Sequence, residues 1–118
     1  MNTAPVPTPA SSPPTICEAE PASGPSGAVL RGVELNFAGA VARRQAGGDV
    51  VVCGDDLGNN RALAGAIEAA VGPRTGPQKP HTRAGPLALP HFHQVSRQPD
   101  GHTFYETDNL RKKARKIP

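Results

Sequence analysis

Residues 89–107 read Leu89-Pro90-His91-Phe92-His93-Gln94-Val95, then Ser96-Arg97-Gln98-Pro99-Asp100-Gly101, then His102-Thr103-Phe104-Tyr105-Glu106-Thr107. Pro99, Asp100 and Gly101 are turn formers and the flanks are rich in aromatic and β-branched residues. The pattern predicts two short strands joined by a polar loop, a β-hairpin. Three of the four histidines, the only tyrosine and two of the three phenylalanines lie in this stretch. Side chains alternate faces along a strand, so His91 and His93 share one face and Phe92 takes the other. On the returning strand His102, Phe104 and Glu106 share a face, with Thr103 and Tyr105 on its opposite. A register that pairs the two histidine faces brings His91, His93, His102 and Glu106 together. A slip of one residue puts Thr103 and Tyr105 beside the histidines instead.

The rest of the chain bounds what such a hairpin can belong to. With 118 residues there is one domain at most, and residues 1–27 are mostly Pro, Ala, Ser, Thr and Gly. That composition cannot bury enough surface to offset ordering entropy, so 1–27 reads as a disordered linker ahead of a domain over 28–110, with 111–118 a basic tail. Aromatics are scarce and Gly plus Pro number 27, which leaves a small aliphatic core. Net charge is +3, unevenly spread: residues 74–118 carry nine Lys or Arg against three Asp or Glu, and residues 1–73 carry four against seven. The basic half is also the histidine half, which points to a polyanionic ligand, although a solvated tail accounts for Arg111–Lys116 equally well. Cys17 and Cys53 lack the paired spacing of a zinc or redox motif and read as two unrelated thiols, with a single disulfide left open. No apolar run is long enough to span a membrane, and the first residues lack the basic and apolar regions of a signal peptide, so export would need another route.

Upstream of the hairpin the periodicity alternates between helix and strand. Val29, Val33, Phe37 and Val41 recur every four residues, which favours a helix from Val33 to Arg44 ended by Gly47 and Gly48; the alternation of Val33, Leu35 and Phe37 keeps a strand over 28–37 open. Asp49-Val50-Val51-Val52-Cys53-Gly54 is a short β-branched run that reads as a buried strand. Asp55, Asp56, Asn59 and Asn60 offer caps for a helix over Asn60–Val71, with Leu63, Ile67 and Val71 as its apolar stripe. A calcium loop is excluded there, since the ligand and glycine positions counted from Asp55 fall on Leu57 and Asn60. Residues 72–90, with five prolines and three glycines, read as a long loop carrying Lys79, His81 and Arg83, either a phosphate grip over the hairpin or a solvated connection.

A Pro-rich leader, the strand-turn-helix Asp49-Val-Val-Val-Cys-Gly-Asp-Asp56 to Asn59-Asn-Arg-Ala-Leu-Ala64, a basic Pro-rich loop, then Ala88-Leu-Pro-His-Phe-His93 and Gly101-His-Thr-Phe-Tyr-Glu106 together resemble the C-terminal toxin domain of bacterial polymorphic toxins, such as those at the tips of Rhs and PAAR proteins. The resemblance covers about residues 49–107. Many such domains are small ribonucleases of the barnase-EndoU-colicin-RelE type, so it implies an α+β fold with one or two N-terminal helices packed on a small antiparallel sheet. About four strands are implied where the sequence shows about three, and Arg83–Leu89 is the stretch that could supply another. It further implies an RNA substrate and a larger delivery protein N-terminal to the domain. Secretion would follow a contact-dependent route without a signal peptide, action would be in the target-cell cytoplasm, and a cognate immunity protein would block the site in the producer.

Metal-independent RNA cleavage needs a base for the 2′-hydroxyl proton, an acid for the leaving oxygen and cations around the phosphorane. Histidine suits both proton transfers because its ordinary pKa lies near neutral. His93 and His102, on facing strands, are the expected acid-base pair, with His91 or Glu106 as substitute base. Lys79, Arg83 or Arg97 would stabilise phosphate charge, and Tyr105 would donate a hydrogen bond or stack on a base. No cofactor enters this scheme. The same His91, His93, His102 and Glu106 could instead hold zinc or nickel in a metal-dependent nuclease. A third reading is a non-enzymatic basic module that binds nucleic acid or protein, its histidines ordinary strand residues.

Overall fold

The computed structural model describes residues 13–22, 27–80 and 88–107. Along them run β1 (Thr15–Pro21), β2 (Val29–Leu35), α1 (Phe37–Gln45), β3 (Asp49–Cys53), α2 (Leu57–Val71), β4 (His91–Phe92) and β5 (Thr103–Tyr105). The fold is α+β: both helices pack on a five-stranded sheet of order β2-β1-β3-β5-β4. The sheet is mixed where an antiparallel one is implied by the toxin-like pattern, because β5 runs parallel to β3 while the other neighbouring pairs are antiparallel. The chain can do this because α2 and the long segment after it separate the two parallel strands, as a parallel pair requires.

Strand β3 is buried on both sides, as its unbroken Val50-Val51-Val52-Cys53 run demands. On the helix side, Val50 and Val52 meet Ile16, Ala40, Ala64, Ile67, Phe92 and Tyr105. On the other side, Val51 and Cys53 meet Ala19, Val29 and Leu89, with Cys17 and Phe104 partly buried against them. Alanines at Ala40 and Ala64 let both helices approach the sheet closely. Helix α2 starts where the Asp56 carboxylate accepts the Asn59 N–H at 2.9 Å, the capping role expected of this turn. Asn60 is not a cap but a buried tether, donating from Nδ2 to the Gly54 carbonyl at 3.0 Å and the Glu106 carbonyl at 3.2 Å. No helix among the described residues is long and apolar enough to cross a membrane.

Four boundaries differ from the sequence reading. Helix α2, expected from Asn60, begins three residues earlier at Leu57, because its cap is Asp56. The packed domain begins well before residue 28: β1 lies inside the stretch read as linker, with Ile16 and Ala19 buried and a hydrogen-bonded neighbour on each edge. Glu18 and Glu20 dilute its apolar signal, and its stability comes from pairing with β2 and β3 rather than from its own composition. The remainder of the leader, residues 1–12 and 23–26, lies outside the described residues, as does the basic tail. The helix expected from Val33 begins at Phe37, because Asn36 caps it, its Oδ1 accepting the Gly39 N–H at 2.7 Å. Val33 belongs to β2 and is exposed, so the four-residue spacing from Val29 to Val41 joins two elements by coincidence. The 72–90 loop also pairs with the hairpin: Arg74 bridges to Gln94 and Gln78 to His91, so β4 is not a bare edge. Residues 83–87 of the stretch considered for an extra strand lie outside the described residues, and Ala88 and Leu89 carry no strand.

Candidate active site

Strands β4 and β5 pair antiparallel with His91 opposite Phe104 and Phe92 opposite Thr103. This register puts His91, His102 and Phe104 on the face away from the helices. Their ring centroids lie 4.7 Å apart for His91 and His102, 5.7 Å for His91 and Phe104, and 5.3 Å for His102 and Phe104. His93 completes the group at 6.1 Å from His91 and 6.2 Å from His102. Phe92 and Tyr105 point to the opposite face, with ring centroids 5.6 Å apart in the helix-side core. Tyr105 is therefore separated from the histidines by the sheet, and burial raises its hydroxyl pKa against the opposing charge of Arg61.

Each imidazole presents Nδ1 to an oxygen that can only accept. His93 Nδ1 lies 2.8 Å from the Gln94 carbonyl and His91 Nδ1 lies 3.4 Å from the Leu89 carbonyl. His102 Nδ1 faces Asp49 Oδ1 at 3.8 Å. The Gln94 carbonyl selects the Nδ1–H tautomer of His93, which leaves its Nε2 to take or give a proton, while the His102 ring faces the Asp49 charge beyond hydrogen-bond distance. His91 is buried and stands behind the other two rings, its backbone paired with Gln78.

Asp49 is the residue the sequence reading missed. It opens β3, and its Oδ1 accepts the His102 backbone N–H at 2.7 Å while facing the ring. Burial works to raise its carboxyl pKa, but the hydrogen bonds and charge of His102, with Arg44 nearby, hold it below the ordinary aspartate value. Asp49 thus remains a carboxylate against the imidazole, an arrangement that orients a histidine ring.

The loop carrying these rings is fastened from the helix side by a buried ion pair. Arg44 of α1 and Glu68 of α2 have no exposed side-chain surface and meet in a bidentate contact at 2.9 and 3.1 Å. The same guanidinium donates to the carbonyls of Gly48 at 3.0 Å, Asp100 at 2.7 Å and Gly101 at 3.2 Å. Glu68 also accepts from Thr103 Oγ1 at 2.8 Å and from the Gln94 amide. Gly101 is obligatory at this point: its φ is +101°, and a Cβ would stand 2.6 Å from Arg44 Nη1 and 2.8 Å from Asp49 Oδ1.

The remaining expected site residues are dispersed. Glu106 lies on the histidine face but beyond Phe104, accepting the Gly54 N–H at 3.2 Å and facing Arg31 at 3.9 Å. Lys79 is exposed one residue past the Gln78 bridge, and Arg97 is exposed in the hairpin loop at φ 64°. Arg83, like His81, lies outside the described residues. No set of three or more His, Cys, Asp or Glu side chains among the described residues is arranged to hold a metal ion. Cys17 and Cys53 are free thiols, yet the β1–β3 register makes them diagonal neighbours on one face. Burial and the Glu106 charge push Cys53 up to about 12. No family model matches this chain, and no curated protein or solved structure shows significant similarity to it.

Proposed function

We propose that the chain is a metal-independent endoribonuclease, acting as the toxin domain of a secreted antibacterial protein. His93 and His102 are its acid-base pair. The observation that carries this reading is the meeting of three imidazoles on one sheet face, with a carboxylate held against His102. His102, whose backbone N–H is held by Asp49 and whose ring faces the same carboxylate, serves as the acid that protonates the leaving 5′-oxygen. His93, whose Nδ1–H is occupied by the Gln94 carbonyl, offers Nε2 as the base for the 2′-hydroxyl. Ring centroids 6.2 Å apart put the two imidazoles on the scale of a single phosphodiester group. Lys79 and Arg97 are exposed cations on the segments that pair with or carry the histidines, and the basic excess of residues 74–118 draws the polyanion in. The toxin setting, with its delivery protein, target-cell cytoplasm and immunity protein, rests on the sequence resemblance.

The test is cleavage of a mixed-sequence RNA by purified protein in excess chelator. Wild type should cut, leaving 2′,3′-cyclic phosphate ends, and His93→Ala or His102→Ala should each lose about 10²–10⁴-fold while keeping the far-ultraviolet spectrum. Induced expression in a bacterial host should arrest growth and degrade RNA for wild type alone. Intact RNA with purified wild type, or histidine variants as active as wild type, would sink the proposal.

A further inference from the structure

Next to the histidines the same face opens into a pocket of about 310 Å3, lined by Pro21, Ala22, Gly27, Ala28, Val29, Ala88, Leu89, His91, His102 and Phe104. Apart from the two imidazoles, every side chain in this lining is apolar or absent. Its volume is at the lower end of the range for small-molecule sites, about 300–1,000 Å3, which suits one planar ring system. Two properties identify the occupant. The wall holds His102, so a group in the pocket sits directly beside any phosphate that His102 protonates. Among the described residues the lining offers no Lys or Arg, and no side-chain donor beyond the two imidazoles, so most of its wall suits an apolar or aromatic group better than a phosphate or a hydroxyl-rich ribose.

We propose that the pocket receives one nucleobase of the RNA, the base flanking the scissile phosphate, with the Phe104 ring as its stacking surface. The proposal rests on the ribonuclease reading for its substrate and deepens it. A flat π-face packed on an aromatic ring is a sequence-tolerant contact, and Ala22, Gly27 and Ala28 contribute only small side chains to the same lining. His91, buried between Phe104 and His102, forms the inner wall. The pocket therefore sets where the chain of RNA lies, and the imidazoles act on the phosphate that this placement delivers.

The experiment compares the four nucleoside 3′-monophosphates with ribose 5-phosphate and inorganic phosphate, titrated into the full chain and followed by NMR at the Phe104 and His102 rings. At least one nucleotide should bind tenfold or more tighter than ribose 5-phosphate, as expected for one stacked base, and should shift the Phe104 ring resonances. Ala88→Leu, which fills the slot, should bring nucleotide affinity down to that of ribose 5-phosphate; Phe104→Leu should weaken it several-fold with the slot kept open. Equal affinity of wild type for nucleotides and ribose 5-phosphate overturns the proposal without any variant. An RNA substrate abasic at the flanking position separates the two readings. Normal cleavage of that substrate leaves the nuclease standing and removes the base pocket. Nucleotide binding at Phe104 without RNA cleavage leaves the pocket standing and removes the nuclease.

Discussion

Replacing Arg44 with methionine removes a buried cation and leaves its partner's charge in place. The guanidinium makes two fully buried contacts to Glu68 and three half-buried ones to the carbonyls of Gly48, Asp100 and Gly101, so it is the Glu68 carboxylate that has no solvent to turn to. Methionine has a similar unbranched stem, so little packing volume is lost. The cost is instead that of stranding a carboxylate with only the Gln94 amide and Thr103 hydroxyl as donors, about 3–5 kcal/mol. Small domains are stable by only about 5–15 kcal/mol, so Arg44→Met should be among the most damaging single changes available. Urea unfolding followed by far-ultraviolet circular dichroism is the suitable assay, since the chain has no tryptophan and one tyrosine. Arg44→Met paired with Glu68→Leu should cost clearly less than the two single losses added, because the double variant contains no unpaired charge. A loss under about 1 kcal/mol for Arg44→Met, where breaking a buried pair costs several, or strictly additive losses in the double variant, would refute the view of this pair as the fastening of the loop.

Three further outcomes follow from the same geometry. Gly101→Ala combines a positive φ with a Cβ 2.6 Å from Arg44 Nη1, and should lower stability by about 2–4 kcal/mol in thermal or urea unfolding. Asp49 titrates below its ordinary value, so its ionised form stabilises the fold above about pH 4 and that contribution is lost as pH falls through the folded value. Comparing unfolding midpoints at pH 6 and pH 3, Asp49→Asn should reduce the acid-induced loss; an unchanged difference would contradict the His102 contact. Cys53, raised to about 12, stabilises the fold as a neutral thiol below its unfolded value near 9, and this is lost as pH rises from there towards 12. In native protein at pH 8 it should therefore resist iodoacetamide, while both cysteines react in urea, as mass spectrometry would record.

The elements legible in the sequence were those whose own residues decide them. Val50-Val51-Val52 reads as a buried strand because it is a short β-branched run closed by Gly54, whereas the start of α2 was legible only as a choice among four caps, of which Asp56 is the one used, three residues before the expected start. The predicted stripe of α2 was only partly the buried one. Ile67 is buried, but Leu63 and Val71 are half-exposed, and the innermost line runs through Asn60, Ala64 and Glu68. A glutamate four residues beyond an inward alanine was a usable signal of a buried charge, and Arg44 stands in the same relation to Ala40. What no local pattern carries is partnership: Arg44 and Glu68 are 24 residues apart, Asp49 and His102 are 53. The choice between the two hairpin registers was likewise undecidable from alternation alone. Contacts outside the hairpin fix it, since Val50 stands beside Thr103 in the parallel β3–β5 pair and Thr103 must turn inward to reach Glu68.

These partnerships give the site a particular mechanical character. His102 is held from two directions: Asp49 takes its N–H, and Arg44 grips the carbonyls of the two residues before it. His93 is held at one remove, since its Nδ1 meets the Gln94 carbonyl and the Gln94 amide is bound to Glu68 and to the Glu68 carbonyl at 2.9 Å. Both rings on the exposed face are thus indexed to a single ion pair on the buried face, across the edge where β4 and β5 end. A loop of ten residues between two very short strands would otherwise carry its side chains over a wide range of positions. The buried pair is a poor source of net stability compared with an apolar pair of equal volume, so its value lies in geometry. It converts the interlocking of α1 and α2 into a fixed separation between two imidazoles, the quantity on which the proposed proton transfer across one phosphate would depend.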